Sequence, residues 1–255
     1  MDQNNIKKIA LITGASSGIG EATAKLLSEK FYLILCGRRY ERLKELSDLL
    51  SKETKIKLLD FDISNKSEVT NSLKKLPKKW KNIDVLINNA GNAHGFDFIH
   101  EGNDEDWDKM IDINVKGLLY VSKEIIKNMV KNKNGHIINI GSIAGKEVYP
   151  KGNVYCASKF AVDAISQGMR IDLNNYNIKV SQINPGLVKT EFSLVRFKND
   201  LERAKAVYDG MNPLIAKDIA EVINYVINSP ENVNISDITI LPKAQASSTV
   251  VKRSG

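Results

Sequence analysis

Short apolar runs alternate with amphipathic segments along the whole chain, and no other feature of the sequence limits the fold as much. The runs Ile9–Thr13, Leu33–Cys36, Ile56–Asp60, Ile83–Ile87, His136–Ile140, Ile178–Ile183 and Ile238–Leu241 carry valine, isoleucine and leucine at both parities. A strand with one wet face alternates apolar and polar residues, whereas a strand covered on both faces does not. Helical patterns stand between them, over Gly20–Lys30, Glu41–Ser51, Val115–Val130, Val154–Asn174 and Lys217–Asn228. Strand–helix alternation of this kind predicts an α/β fold with a doubly wound, seven-stranded parallel sheet. No repeat or linker interrupts it, and 255 residues suit one α/β domain. Residues 1–255 therefore read as a single domain whose periodicity is lost from Pro242 onward, in an irregular C-terminal extension.

Charge and composition narrow the function by exclusion. The formal net charge is +7, from 37 Lys and Arg against 30 Asp and Glu, but the lysines are scattered and not interleaved with aromatics. That pattern argues against a nucleic-acid platform and is compatible with a small anionic ligand. No apolar run is long enough to span a bilayer, and Met1 to Lys8 is too polar for a secretory signal. A soluble, cytoplasmic protein is expected. Cys36 and Cys156 are too few for a disulfide framework, and Cys36 in its apolar run reads as a buried thiol. His94, His100 and His136 are dispersed, so no metal site is expected.

In a doubly wound sheet, ligands bind beyond the carboxyl ends of the strands. The first strand runs into Thr13-Gly14-Ala15-Ser16-Ser17-Gly18-Ile19-Gly20 and then a helix. Glycines there allow a tight turn and let the backbone approach a pyrophosphate at the helix N-terminus. A ligand-free turn could use the same letters, but strand before and helix after are the context the motif requires. The spacing, G-x-x-x-G-x-G, resembles the signature of the short-chain dehydrogenase/reductase superfamily, which implies a Rossmann-type fold. The second strand ends Cys36-Gly37-Arg38-Arg39, with no acidic residue for ribose hydroxyls. Arginine at this point accommodates a 2′-phosphate, so the expected cofactor is NADP, held by Arg38 above all, with Arg39 beside it and Ser17 as a second donor. A surface pair between these arginines and Glu41 or Glu45 is the competing reading.

The resemblance continues strand by strand. Asp62, followed by Ile63, matches the family's aspartate for the adenine amino group; it equally fits a helix N-terminal turn together with Ser64. Asn88-Asn89-Ala90-Gly91 matches the family's N-N-A-G, where small residues let the cofactor cross closely. Pro185 and Gly186, then Val188 and Thr190, match the segment whose backbone and threonine hold carboxamide and phosphates.

The fifth strand ends at Ser142, and the next helix opens with Tyr155-Cys156-Ala157-Ser158-Lys159. Spacing alone proves little here, since Tyr40 and Lys44 repeat it. Position decides: Tyr40 lies on the adenine side, while Tyr155 follows a serine-bearing strand end. At i and i+4, Tyr155 and Lys159 share one helix face. A phenol of pKa roughly 10 needs a cation beside it to act as acid or base near neutrality. Ser142 can hydrogen-bond the substrate oxygen where charge develops. The family assigns these roles to the matching residues, and adds ribose binding by the lysine and a relay water held by an asparagine that Asn114 matches. Asn114 is also explained as a helix-breaking amide.

Within the superfamily, the stretches Gly37–Leu43, Gly135–Ser142, Gly152–Tyr155 and above all Thr190–Phe197 are similar to NADP-dependent 3-hydroxy acid dehydrogenases acting on serine, allo-threonine and malonic semialdehyde. A 3-oxoacyl-carrier-protein reductase usually closes its last strand with Asp-Gly-Gly, where this chain has Thr239-Ile240-Leu241-Pro242-Lys243. A non-catalytic NADP-binding regulator would have lost Tyr155, Lys159 or Ser142. A substrate carboxylate needs a cation in a dry pocket, and Arg196 in the substrate loop is one candidate. A surface pair with Glu191 or Asp200 is the other reading of Arg196, and His94, Lys146 and Glu147 are weaker pocket candidates. The family is commonly tetrameric through the helices matching Val115–Val130 and Val154–Asn174, which implies a homotetramer.

Overall fold

The computed structural model describes residues 7–254; residues 1–6, most of the polar lead set apart from secretory signals above, lie outside the described residues, as does Gly255. The strands are β1 (Lys8–Thr13), β2 (Phe31–Gly37), β3 (Ile56–Asp60), β4 (Val85–Asn88), β5 (Gly135–Ile140), β6 (Ile178–Pro185), β7 (Val188–Lys189), β8 (Leu214–Ile215) and β9 (Asp237–Ile240). Seven of them form one parallel sheet in the order β3-β2-β1-β4-β5-β6-β9, and β7 pairs with β8 apart from it. The strand order reverses between β1 and β4, and the ends of those two strands open the main cavity.

Burial explains the two-parity pattern of the strands. Ile9 and Leu11 of β1 join a core with Ile34, Val121, Ile125 and Leu173, while Ala10 and Ile12 join another with Leu27, Leu43, Ile219 and Val226. The helices supplying these layers are α1 (Gly18–Leu27), α2 (Tyr40–Leu50) and α9 (Ala216–Ile227) on one face. On the other are α3 (Lys66–Lys74), α5 (Leu118–Asn132) and α6 (Asn153–Leu173). Among the described residues, no helix is long and apolar enough to cross a membrane.

Two departures from the sequence reading bear on the site. The segment Val115–Val130 is the end of a longer helical rod: α4 (Asp104–Ile111), capped by the Asn103 side chain, runs through a π-helical turn at Asp112–Gly117 into α5. Such turns recur at functional sites because they re-aim the backbone within a helix. The second departure is the chain beyond β7. Residues 190–213 leave the sheet as an excursion bearing α7 (Phe192–Arg196) and α8 (Leu201–Ala206), stapled at its base by the β7–β8 pair. Among the described residues the tail after Pro242 has no helix or strand, but it folds back: Gln245 and Val251 bridge each other, and the Ser254 amide donates to Gly210 O.

Candidate active site

A cavity of about 710 Å³ opens at the carboxyl ends of the strands. Every principal site residue expected from the sequence lines it except Thr13, Gly20 and Asn114, which contact lining residues.

Thr13 and Asn89 lock the first corner. The Thr13 hydroxyl accepts from the amides of Asn89 and Ala90, both at 3.0 Å, and the Asn89 side chain donates back to Thr13 O at 2.9 Å. The chain can pass this closely because Gly14 has φ +65° and any Cβ there would lie 2.9 Å from the Ala90 backbone. Gly20 is equally confined, since a Cβ would strike Gly14 O. Thr13 and Gly20 thus shape the loop while Gly14, Ser16, Ser17, Gly18 and Ile19 face the cavity.

The adjoining corner is rich in charge. Arg38 donates to Asp62 at 3.1 Å. The Asp62 carboxylate also takes the amide and hydroxyl of Ser64, and these bonds with Arg38 outweigh partial burial and hold its pKa low. The bonds from Ser64 match the turn reading of Asp62, although the cap of α3 is Asn65, and Asp62 also lines the cavity. Arg39 spreads over Ser16 (3.2 Å), Ser17 (2.6 Å) and Glu191 (2.7 Å), and Arg42 donates to the other Glu191 oxygen at 2.6 Å. The arginines pair with Asp62 and Glu191, and neither Glu41 nor Glu45 is a partner among the described ion pairs. A dinucleotide carrying a 2′-phosphate fits this wall: a close backbone cradle at Gly14 and Gly18, beside guanidiniums and the Ser17 hydroxyl.

At the other end stand Ser142, Tyr155 and Lys159. Ser142 caps a single 3₁₀ turn, its hydroxyl accepting from the Ala144 amide at 3.1 Å. Tyr155 is buried, which pushes its pKa well up; Tyr149 adds to that, and Ser142 and Arg196 oppose it. Lys159 is buried too, and loss of hydration lowers its pKa to about 8, with Nζ donating to Ile140 O at 3.0 Å. Asn114, inside the π turn, has its amide fully engaged: it accepts from Asn92 N, donates to Asn92 O (both 2.8 Å) and reaches Ser158 at 3.0 Å. Its side chain fastens the loop after Gly91 to α6, so it works as a brace and not as a break in the helix.

Arg196 lies inside the cavity. Its guanidinium sits 4.7 Å from the Phe96 ring centre and 5.4 Å from those of Tyr149 and Tyr155, and Nη1 donates to Tyr149 at 2.9 Å. The surface-pair reading finds no partner: Glu191 is taken by Arg39 and Arg42, and Asp200 caps α8. Among the described residues no carboxylate pairs with Arg196. The weaker candidates stand elsewhere. His94 borders a small crevice beside Asp106, Lys146 holds Asp163 and Asp237, and Glu147 accepts from the Ser248 amide at 2.7 Å.

Several lining residues escaped the sequence reading: Phe96, Tyr149, Phe192, Glu191 and the tail residues Gln245 and Arg253. Their only signal was proximity in sequence to a motif. Glu191 and Phe192 follow Thr190, and Tyr149 precedes Tyr155, but nothing local aims an aromatic ring in a loop toward a cavity.

The model of the short chain dehydrogenase family matches residues 8–200. The chain belongs to that family. An NADP-dependent 3-hydroxy acid dehydrogenase, YdfG, of Salmonella typhi is 41% identical over 240 residues, 93% of this chain and 96% of the relative. An NADP-dependent 3-hydroxy acid dehydrogenase of Schizosaccharomyces pombe is 38% identical over 250 residues, 96% of each. Among solved structures, the closed form of serine dehydrogenase complexed with NADP+ superimposes with a TM-score of 0.90 at 40% identity, covering 97% of this chain and all of that one. Its family membership makes the chain an oxidoreductase with a Rossmann-like fold.

Proposed function

We propose that this enzyme interconverts a small 3-hydroxy acid and its 3-oxo or semialdehyde counterpart, using NADP. The observation that carries the substrate class is Arg196, a guanidinium in the cavity with no carboxylate partner among the described residues, set against the ring of Tyr155. Its planar fork suits a substrate carboxylate, which would otherwise enter a dry pocket unpaired. The names of the relatives agree with this reading.

When bound, the nicotinamide supplies or accepts the hydride. Tyr155 gives or takes the proton on the substrate oxygen, and Ser142 donates a hydrogen bond to that oxygen as charge grows on it. Ser142 and Arg196 are the groups that favour the phenolate of Tyr155 against its burial, and the Lys159 ammonium would hold ribose hydroxyls. Asn114 acts as a positioning residue by bracing the loop at Asn92. On the cofactor side, Gly14 to Ile19 would cradle the pyrophosphate, and Arg38, Arg39 and Ser17 would take the 2′-phosphate. Asp62 and Ile63 would flank the adenine, Asn89 to Gly91 would let the cofactor cross, and Pro185, Gly186, Val188 and Thr190 would hold the carboxamide and phosphates.

A homotetramer fits the exposed apolar faces of α5 and α6, where Leu119, Phe160 and Ile171 face outward and Gly168 stands in open space. A cytoplasmic setting fits the free thiols of Cys36 and Cys156. The test is oxidation of NADPH and NADH by the full chain with malonic semialdehyde and with an acetoacetyl thioester. The expected result is NADPH with the semialdehyde; preference for the thioester or for NADH overturns the substrate or the cofactor reading, respectively.

A further inference from the structure

At the corner where β2 turns into α2, three guanidiniums gather, and each already has a carboxylate: Arg38 has Asp62, and Arg39 and Arg42 share Glu191. The two carboxylates differ in how they are held. Asp62 follows the end of β3 and is fixed there by Ser64. Glu191 arrives from the far side of the cavity, at the start of the excursion beyond β7. Resting on the NADP reading, we propose that Glu191 is a built-in competitor for the cofactor's 2′-phosphate, a specificity-determining residue that occupies Arg39, with Arg42 as its second anchor outside the cavity, until the phosphate takes Arg39.

Charge at this corner favours exchange over sharing. Three arginines against Asp62 and Glu191 leave one net positive charge. A phosphate monoester brings roughly two negative charges. With Glu191 in place the corner becomes net negative; with Glu191 withdrawn it is neutral. The donors point the same way. Arg39 is committed to Ser16 and Ser17 as well as Glu191, and all four residues line the cavity, whereas Arg42 serves Glu191 alone. Both pairs are half exposed, so the exchange costs little desolvation. Glu191 is the residue that precedes α7, and Arg196 ends it. Release of the carboxylate therefore frees one end of the short helix that lays a guanidinium on Tyr155 at the other.

Calorimetric titration of the full chain with adenosine 2′,5′-bisphosphate and with AMP isolates the 2′-phosphate, the one group by which the probes differ. The wild-type chain is expected to bind the bisphosphate more tightly than AMP. In Glu191→Gln its Kd falls a further two- to fivefold or so, the range of an exposed charge pair, while the Kd of AMP stays put. Glu191→Ala moves in the same direction if its melting temperature shows it folded. Weaker bisphosphate binding, an unchanged Kd, or an equal shift for both probes overturns the inference and leaves the NADP reading standing. Equal binding of both probes by the wild-type chain defeats the NADP reading itself, and the inference with it.

Discussion

Thr13 and Asn89 meet because their strands are neighbours in the sheet, whereas Arg196 and Tyr149 meet although neither belongs to it. On the first wall, Ile12 of β1 pairs in register with Ile87 of β4, so the residues following each strand must come together. On the second, α7, α8 and the tail are held, beyond the β7–β8 staple and a few backbone bonds such as Ser254 to Gly210, by individual side chains. Gln245 takes the Leu187 amide at 2.9 Å, Tyr208 donates to Val188 O, Lys198 pairs with Asp106, and Arg253 clasps the carbonyls of Val207 and Asp209. A wall set by strand register presents chemistry at fixed positions. A wall set by single contacts selects what enters, and gives way one contact at a time.

That contrast is open to experiment, and the largest effect is expected on the first wall. Tyr155→Phe removes the proton-transfer group, and kcat should fall by about 10²–10⁴ with cofactor binding nearly intact. Near-normal turnover in that variant, together with loss in Tyr40→Phe, would reverse the assignment. On the second wall the effect should appear in KM. Arg196→Ala is expected to raise KM for a 3-hydroxy acid by roughly tenfold to a hundredfold, the loss of a charge-assisted pair, and to leave reduction of an uncharged ketone almost unchanged. Equal losses on charged and neutral substrates would mean that the arginine only supports the wall. Gln245→Ala leaves the Leu187 amide unpaired and should raise KM by about fivefold, the worth of one neutral hydrogen bond, without altering the pH dependence of kcat. A change in kcat alone would place the tail in the chemistry.

A separate change is expected in stability, and it tests the cost of the rigid wall. Lys159 has its pKa lowered from the ordinary lysine range to about 8 by burial. Below pH 8 it is charged both folded and unfolded, and the folded state carries the full penalty of a buried charge. Between about 8 and 10.5 the folded protein sheds the proton first, and the penalty fades as pH rises. Lys159→Met should therefore raise stability at pH 7 by on the order of 2 kcal/mol, less the lost bond to Ile140 O, and the gain should shrink toward pH 10. Activity should be lost throughout. Denaturant titrations at pH 7 and pH 10 check this; a gain that grows with pH would contradict it.

Much of the site was legible because its residues stand at the ends of strands. The glycine loop, Asn89, Ser142 and the Tyr155–Lys159 pair each follow an apolar run or open a helix whose place in the sheet is set by its pattern. Asn114 shows the limit of that method. Its letter matched a family position, but the π turn around it and its grip on Asn92 come from how α4 and α5 join, which no local spacing encodes. Arg196 shows the limit from the other side, since two partners proposed for it were plausible neighbours in sequence and both were taken by other residues.

The sequence by itself determined the layers of this protein and the order of its strand-end motifs. Periodicity reports which faces are buried, and glycine, tyrosine and lysine at fixed spacings report local backbone and helix geometry. Tertiary structure alone decided the second wall: that Glu191 crosses to Arg39 and Arg42, that Arg196 turns inward onto three aromatic rings, and that the tail returns to Leu187 and Gly210. The physical reason is that an irregular segment has no period to register. Its path is chosen by a few charge pairs and hydrogen bonds whose partners lie far away in the chain, and those partners are in place only once the sheet has formed.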